Sequence, residues 1–109
     1  MKKSKIMELG FYKVPKIFFF DKRFKKLSTG AVMLYAMLLD RQGVSEKNGW
    51  IDKKGRVYQY FTIEQVAWLL NCGHEKACKL FSELQEIGLV KRKRQGIGKA
   101  SIIYLKTYI

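Results

Sequence analysis

The amino-acid sequence predicts a single α+β domain of helices followed by a β-hairpin, on three observations. Two short amphipathic helical stretches, residues 62–70 and 73–87, are separated by the tight break Asn71-Cys72-Gly73. A cationic hairpin pattern follows at once, with Gly96-Ile97-Gly98 at its turn. Ahead of both lie a longer helix-periodic stretch and a short paired strand. Helix, strand, helix, helix and hairpin in that order make a winged helix-turn-helix.

A chain of 109 residues with 48% apolar content is one domain with its own core. One proline and no Ser/Gly-rich run leave no linker in view. The expected organisation is a flexible basic arm at residues 1–10 and a folded domain at residues 11–109.

From the N-terminus, residues 11–20 are rich in strand formers, and Pro15 points to an edge or irregular extended segment. Residues 21–26 form a charged connector compatible with one helical turn. Ser28 is placed to cap the first long helix, along which Ala31, Leu34, Tyr35, Leu38 and Leu39 recur at helical spacing. Gly43 predicts its end near Arg41 and Gln42. Trp50-Ile51, a turn at 52–55 and residues 56–61 suggest a β-hairpin. Thr62-Ile63-Glu64-Gln65 has the form of a capping box, and Ile63, Val66, Ala67 and Leu70 line the buried stripe behind it. Ala77, Leu80, Phe81, Leu84 and Ile87 mark the apolar face of the next helix, which ends at Gly88. Beyond it, residues 89–95 and 100–108 read as the two arms of the wing.

The net charge of +13 favours a polyanionic partner, nucleic acid before an anionic membrane. Its distribution is uneven. Residues 1–27 carry nine Lys/Arg against two acids and residues 90–109 six against none, whereas residues 62–89 carry two against four. Apolar runs such as residues 17–20 are too short to span a bilayer, and no signal-peptide pattern is visible, so a soluble cytoplasmic chain with Cys72 and Cys78 reduced is expected.

The second helix of a helix-turn-helix generally enters the major groove. Its start, Gly73 and His74, and its polar face, Glu75, Lys76, Lys79 and Ser82, are therefore the candidate reader of double-stranded DNA; Glu83 and Glu86 also lie off the apolar face. Lys or Arg suits base acceptors or phosphate, and a carboxylate suits a cytosine amino group. The bland alternative is a solvated mixed-charge face. Lys91, Arg92, Lys93, Arg94, Gln95, Gly96, Gly98 and Lys99 complete the candidate site as a cationic glycine turn suited to close approach to a backbone or minor groove. A charged edge hairpin that resists aggregation is its bland alternative. Strand alternation makes Lys91/Lys93 and Arg92/Arg94 point to opposite faces.

Cys72, His74 and Cys78 lack a fourth ligand and paired spacing for a metal. Gly96-Ile97-Gly98-Lys99 lacks the upstream glycine and the following Ser/Thr of a phosphate loop. No catalytic arrangement stands out, so no enzyme activity, cofactor or metal is expected. Trp68 and Leu69 fall outside the buried stripe; packing onto the Trp50 hairpin is the favoured expectation and a subunit interface the other.

Phe11-Tyr12-Lys13-Val14-Pro15-Lys16, Leu27-Ser28, Leu34-Tyr35-Ala36-Met37-Leu38-Leu39-Asp40-Arg41, Asn48-Gly49-Trp50-Ile51-Asp52, Gly55-Arg56-Val57-Tyr58, Leu70-Asn71-Cys72 and Gly88-Leu89-Val90 run in unbroken order into the wing. Together they resemble the N-terminal domain of the RepA_N plasmid replication initiators of low-GC Gram-positive bacteria. The resemblance implies a domain that recognises repeated sites at a plasmid origin, usually as a homodimer. It also implies a separate C-terminal domain, similar to DnaD-type primosomal proteins, that engages host replication machinery. Gly73 departs from the pattern, since relatives tend to carry Ser as that helix cap. A winged-helix transcriptional regulator acting at a promoter is the alternative with the same DNA chemistry, and a protein-docking domain using the aromatics of residues 11–20 and Trp68 is the alternative from another class.

Overall fold

A computed structural model describes residues 8–96 and 101–107. Among the elements placed wholly within the described residues, five helical ones precede a two-stranded antiparallel sheet: α1 (Ile17–Phe20), a 3-10 turn (Lys22–Phe24), α2 (Thr29–Lys47), α3 (Ile63–Leu69), α4 (His74–Glu86), β1 (Val90–Lys93) and β2 (Ile102–Leu105). Val90 pairs with Leu105 and Lys93 with Ile102. Gln59 adds a one-residue third strand, exchanging backbone hydrogen bonds of 2.8 and 2.9 Å with Ile103. This is the winged helix architecture.

Helix α2 is the centre of the domain. Ala31, Val32, Leu34, Tyr35, Ala36, Met37 and Leu38 are all buried, so its first half is apolar all round, as a helix enclosed on every side must be. Phe18 and Phe24 cover one side, Phe18 meeting Phe24 and Tyr35 edge-on at 5.1 and 4.8 Å between centroids. Helix α4 covers another. A Cβ on Gly30 would stand 2.9 Å from Leu80 Cδ2, so the absence of a side chain there lets the two helices approach. Tyr35 Oη donates to the Lys106 carbonyl at 2.6 Å, and the fully buried Gln59 donates through Nε2 to the Leu38 carbonyl and to Gln42 Oε1, both at 3.0 Å. These bonds fasten the sheet to α2 and add direction to the apolar packing between them.

The N-termini of α2 and α3 follow local sequence. Ser28 Oγ accepts from the Ala31 N–H, and Thr62 and Gln65 form the reciprocal capping box. Three helices share one way of stopping. After α2, α3 and α4 a left-handed residue, Gly49, Asn71 or Gly88, is followed by one whose N–H reaches back to the carbonyl of Ser45, Ala67 or Leu84. This six-to-one closure satisfies carbonyls that the helix end would otherwise orphan.

Two expected elements differ. Helix α2 runs through Gly43 to Lys47 rather than ending near Gln42. A lone helical glycine costs only about 1 kcal/mol, and burial of Ser45 together with the Gly49 closure holds the extra turn. Residues 17–20 are one helical turn, not an extended segment. Alternation would have placed Phe18 and Phe20 on one face, whereas Phe18 is buried against α2 and Phe20 is exposed.

Candidate nucleic-acid interface

Gly73 caps α4 without a side-chain hydrogen bond, and a side chain there would meet open space. The first amides of α4 therefore face outward unblocked by a capping side chain, with the positive end of the helix dipole behind them. His74, Glu75, Lys76, Lys79 and Ser82 are all exposed. Neither Lys76 nor Lys79 is ion-paired among the described residues. Glu83 takes a structural place: its carboxylate accepts from the Ser28 N–H at 2.7 Å and the Ser28 hydroxyl at 2.8 Å, tying α4 to the start of α2. Glu83 is thereby drawn into the protein, while Glu75 stays exposed beside Lys76.

The wing divides as strand alternation requires. Lys91 and Lys93 are exposed, while Val90 and Arg92 turn inward. The Arg92 guanidinium lies 4.9 Å over the Phe81 ring, and its Nε is buried with no partner among the described residues. Arg92 thus joins the wing to α4 and presents only the outer edge of its guanidinium. Arg94, Gln95 and Gly96 are exposed beyond the strand, Gly96 with φ at 140°. Gly98 and Lys99 lie outside the described residues.

A third element stands beside the wing. Ile51 bridges Val57 across the turn at 52–56. Asp52 Oδ1 accepts from the Lys54 and Arg56 N–H groups, and Oδ2 accepts from Arg56 Nε and Tyr104 Oη, all at 2.9 Å. Arg56 lies 4.6 Å over the Tyr104 ring on β2. Asp52, Lys53, Lys54, Arg56, Lys93 and Tyr104 line one groove. The Arg56 N–H foremost, with Tyr104, the Lys54 N–H and the Arg56 guanidinium, outweighs partial burial and holds the Asp52 carboxyl down at about 2. A carboxyl depressed on folding stabilises fully above its ordinary pKa, and that contribution disappears as pH falls through the folded value. Thermal midpoints of wild type and Asp52→Asn should therefore differ most near neutrality and converge as pH drops from about 4 to about 2.

Residues 10–109 match the family model of the replication initiator protein A (RepA) N-terminus. The chain belongs to the RepA_N family. Two solved structures, described as the N-terminal domain of a DNA-binding protein and as a Rep–DNA complex, superpose with a TM-score of 0.82 at 35% identity over 100% of this chain, covering 83% and 84% of theirs. A third, described as an MDR initiator, gives 0.78 at 35% identity over 97% of this chain and 84% of its own. A 41 kDa protein of Lactobacillus helveticus is 36% identical over 86 residues, 79% of this chain. The chain spans 24% of that relative's length.

In this RepA_N domain Trp68 does not fold onto the Trp50 hairpin. Trp68 is 81% exposed, and Trp50 instead meets Tyr60 edge-on at 5.2 Å. Helix α3 is only seven residues long and its buried stripe is filled by Ile63 and Val66, so Trp68 points off the core. The groove beside it is lined by Arg41, Phe61, Glu64, Gln65 and Leu69. The turn lysines Lys53 and Lys54 were the residues that pattern reading passed over. Their only local signal was a basic turn, and their place beside Lys93 depends on Asp52 reaching Tyr104, 52 residues away.

Proposed function

We propose that this domain binds double-stranded DNA at repeated sites of a plasmid replication origin, as the N-terminal part of an initiator. The observation that carries the reading is the pair Lys76 and Lys79, without an ion partner among the described residues, on the open first turns of α4, with a cationic hairpin anchored next to it by Arg92 on Phe81. A helix N-terminus with outward amides fits the major groove, and Lys91, Lys93, Arg94, Gln95 and the Gly96 turn fit the backbone or minor groove alongside. The 35% identity to the structure described as a Rep–DNA complex supports the same partner.

The functional unit in this reading is a homodimer. Trp68 and Leu69 support it, since exposed apolar side chains of this size commonly mark protein contacts. A C-terminal part of the initiator would recruit host replication proteins; of the basic arm expected at residues 1–10, residues 1–7 lie outside the described residues. DNase footprinting on the origin of the encoding plasmid tests the reading. Protection of its direct repeats is expected. Protection confined to a promoter would make the domain a transcriptional regulator, and protection of neither would overturn DNA recognition by this surface.

A further inference from the structure

We propose that the turn at residues 52–56 is a second phosphate-binding element, which extends the DNA contact from the wing across the outer face of the sheet. The inference rests on the DNA-binding reading above and assigns to it residues outside both the helix-turn-helix and the wing. Asp52 is the only acid lining the groove among the described residues, and its four acceptor sites are filled by the Lys54 and Arg56 amides, Arg56 Nε and Tyr104 Oη. Arg56 neutralises it. Lys53, Lys54 and Lys93 remain around the same groove with no ion partner among the described residues. Lys91 is two residues before Lys93 and projects from the same face of β1. The result is a band of four uncompensated ammonium groups on two elements.

That band is held in place rather than merely exposed. The Asp52–Tyr104 bond and the Arg56 stack on Tyr104 fix the turn against β2, and β2 pairs with β1 along its whole length. Ordering four like charges near one another raises the free energy of the unbound protein, and a polyanion relieves that repulsion. On a turn beside the sheet, and not on a helix lying in a groove, ammonium groups meet phosphate as point charges, so the element takes a backbone and reads no sequence.

Lys53→Gln with Lys54→Gln is the test. Both side chains are exposed and neither makes a side-chain hydrogen bond among the described residues, while the Lys54 N–H that caps on Asp52 is retained. Affinity is measured by fluorescence anisotropy against salt, on an origin duplex and on a mixed-sequence duplex. Two lost phosphate contacts should reduce the log–log salt slope by about 1.8, so that the wild-type advantage shrinks about 12-fold between about 50 and about 200 mM salt. The loss should be equal on the two duplexes, and Lys53→Arg with Lys54→Arg should restore wild-type behaviour. An unchanged slope in a wild-type background that binds DNA overturns this element alone. A wild-type domain that binds neither duplex overturns the underlying reading and this one with it. A loss on the origin duplex only would make the turn a sequence reader and overturn its assignment to phosphate.

Discussion

Phe81→Ala is expected to lower the stability of this domain by about 3–5 kcal/mol, as truncation of a fully buried aromatic does. Phe81 is 1% exposed and stands where α4 meets both the core and the wing. Two losses combine. The ring leaves a cavity among close-packed neighbours that include Leu80 and Leu84. The Arg92 guanidinium loses the face that covers it, while its Nε, already without a partner, stays in a half-buried place. Domains of this size have about 5–15 kcal/mol in total, so the variant gives up a large fraction of its margin. Urea unfolding followed by far-UV circular dichroism measures the change. Phe81→Leu separates the terms: it retains most of the volume and removes only the ring face, and should cost about 1–2 kcal/mol. A Phe81→Ala loss below about 1 kcal/mol would contradict the packing of α4 against β1.

Much of the fold was legible because it is local. The caps at Ser28 and Thr62, the Ala77–Leu80–Phe81–Leu84 stripe and the left-handed Gly88 are each decided within a few residues. Gly43 misleads because glycine marks a helix end only when a closing bond is available. The closure forms at Gly49, where the Trp50 N–H finds the Ser45 carbonyl. Residues 17–20 mislead because aromatic strand formers turn helical when one ring, Phe18, has a slot between Phe24 and Tyr35.

The polar face of α4 was readable from a wheel, but three features of the site were not. Glu83 is removed from that face by Ser28, 55 residues earlier; Arg92 is drawn inward by Phe81; and Lys53 and Lys54 are brought to the wing by Tyr104. Each depends on a contact across the fold, and no periodicity within one segment encodes it.

The proposed separation of roles between α4 and the wing gives the second large expected effect. Lys76→Ala with Lys79→Ala removes two cations of the polar face of α4 that have no ion partner among the described residues, both exposed and clear of the core. If each makes a good base contact, discrimination against unrelated DNA falls by about 1–3 kcal/mol per contact, a loss of roughly 30-fold or more for the pair. Affinity for a mixed-sequence duplex should fall far less. Lys93→Gln with Arg94→Gln should behave in the opposite way. Those cations lie on the outer strand face and just beyond it, with no partner among the described residues. Their loss should weaken origin and mixed-sequence duplexes by the same factor and lower the salt slope by about 1.8. Arg92 is left out of this variant because its stack on Phe81 would mix a stability loss into a binding measurement. Competition anisotropy with both duplexes at two salt concentrations distinguishes the outcomes. A preserved origin preference in the helix variant, with the preference lost in the wing variant, would transfer sequence reading from α4 to the hairpin and leave the helix as the electrostatic anchor.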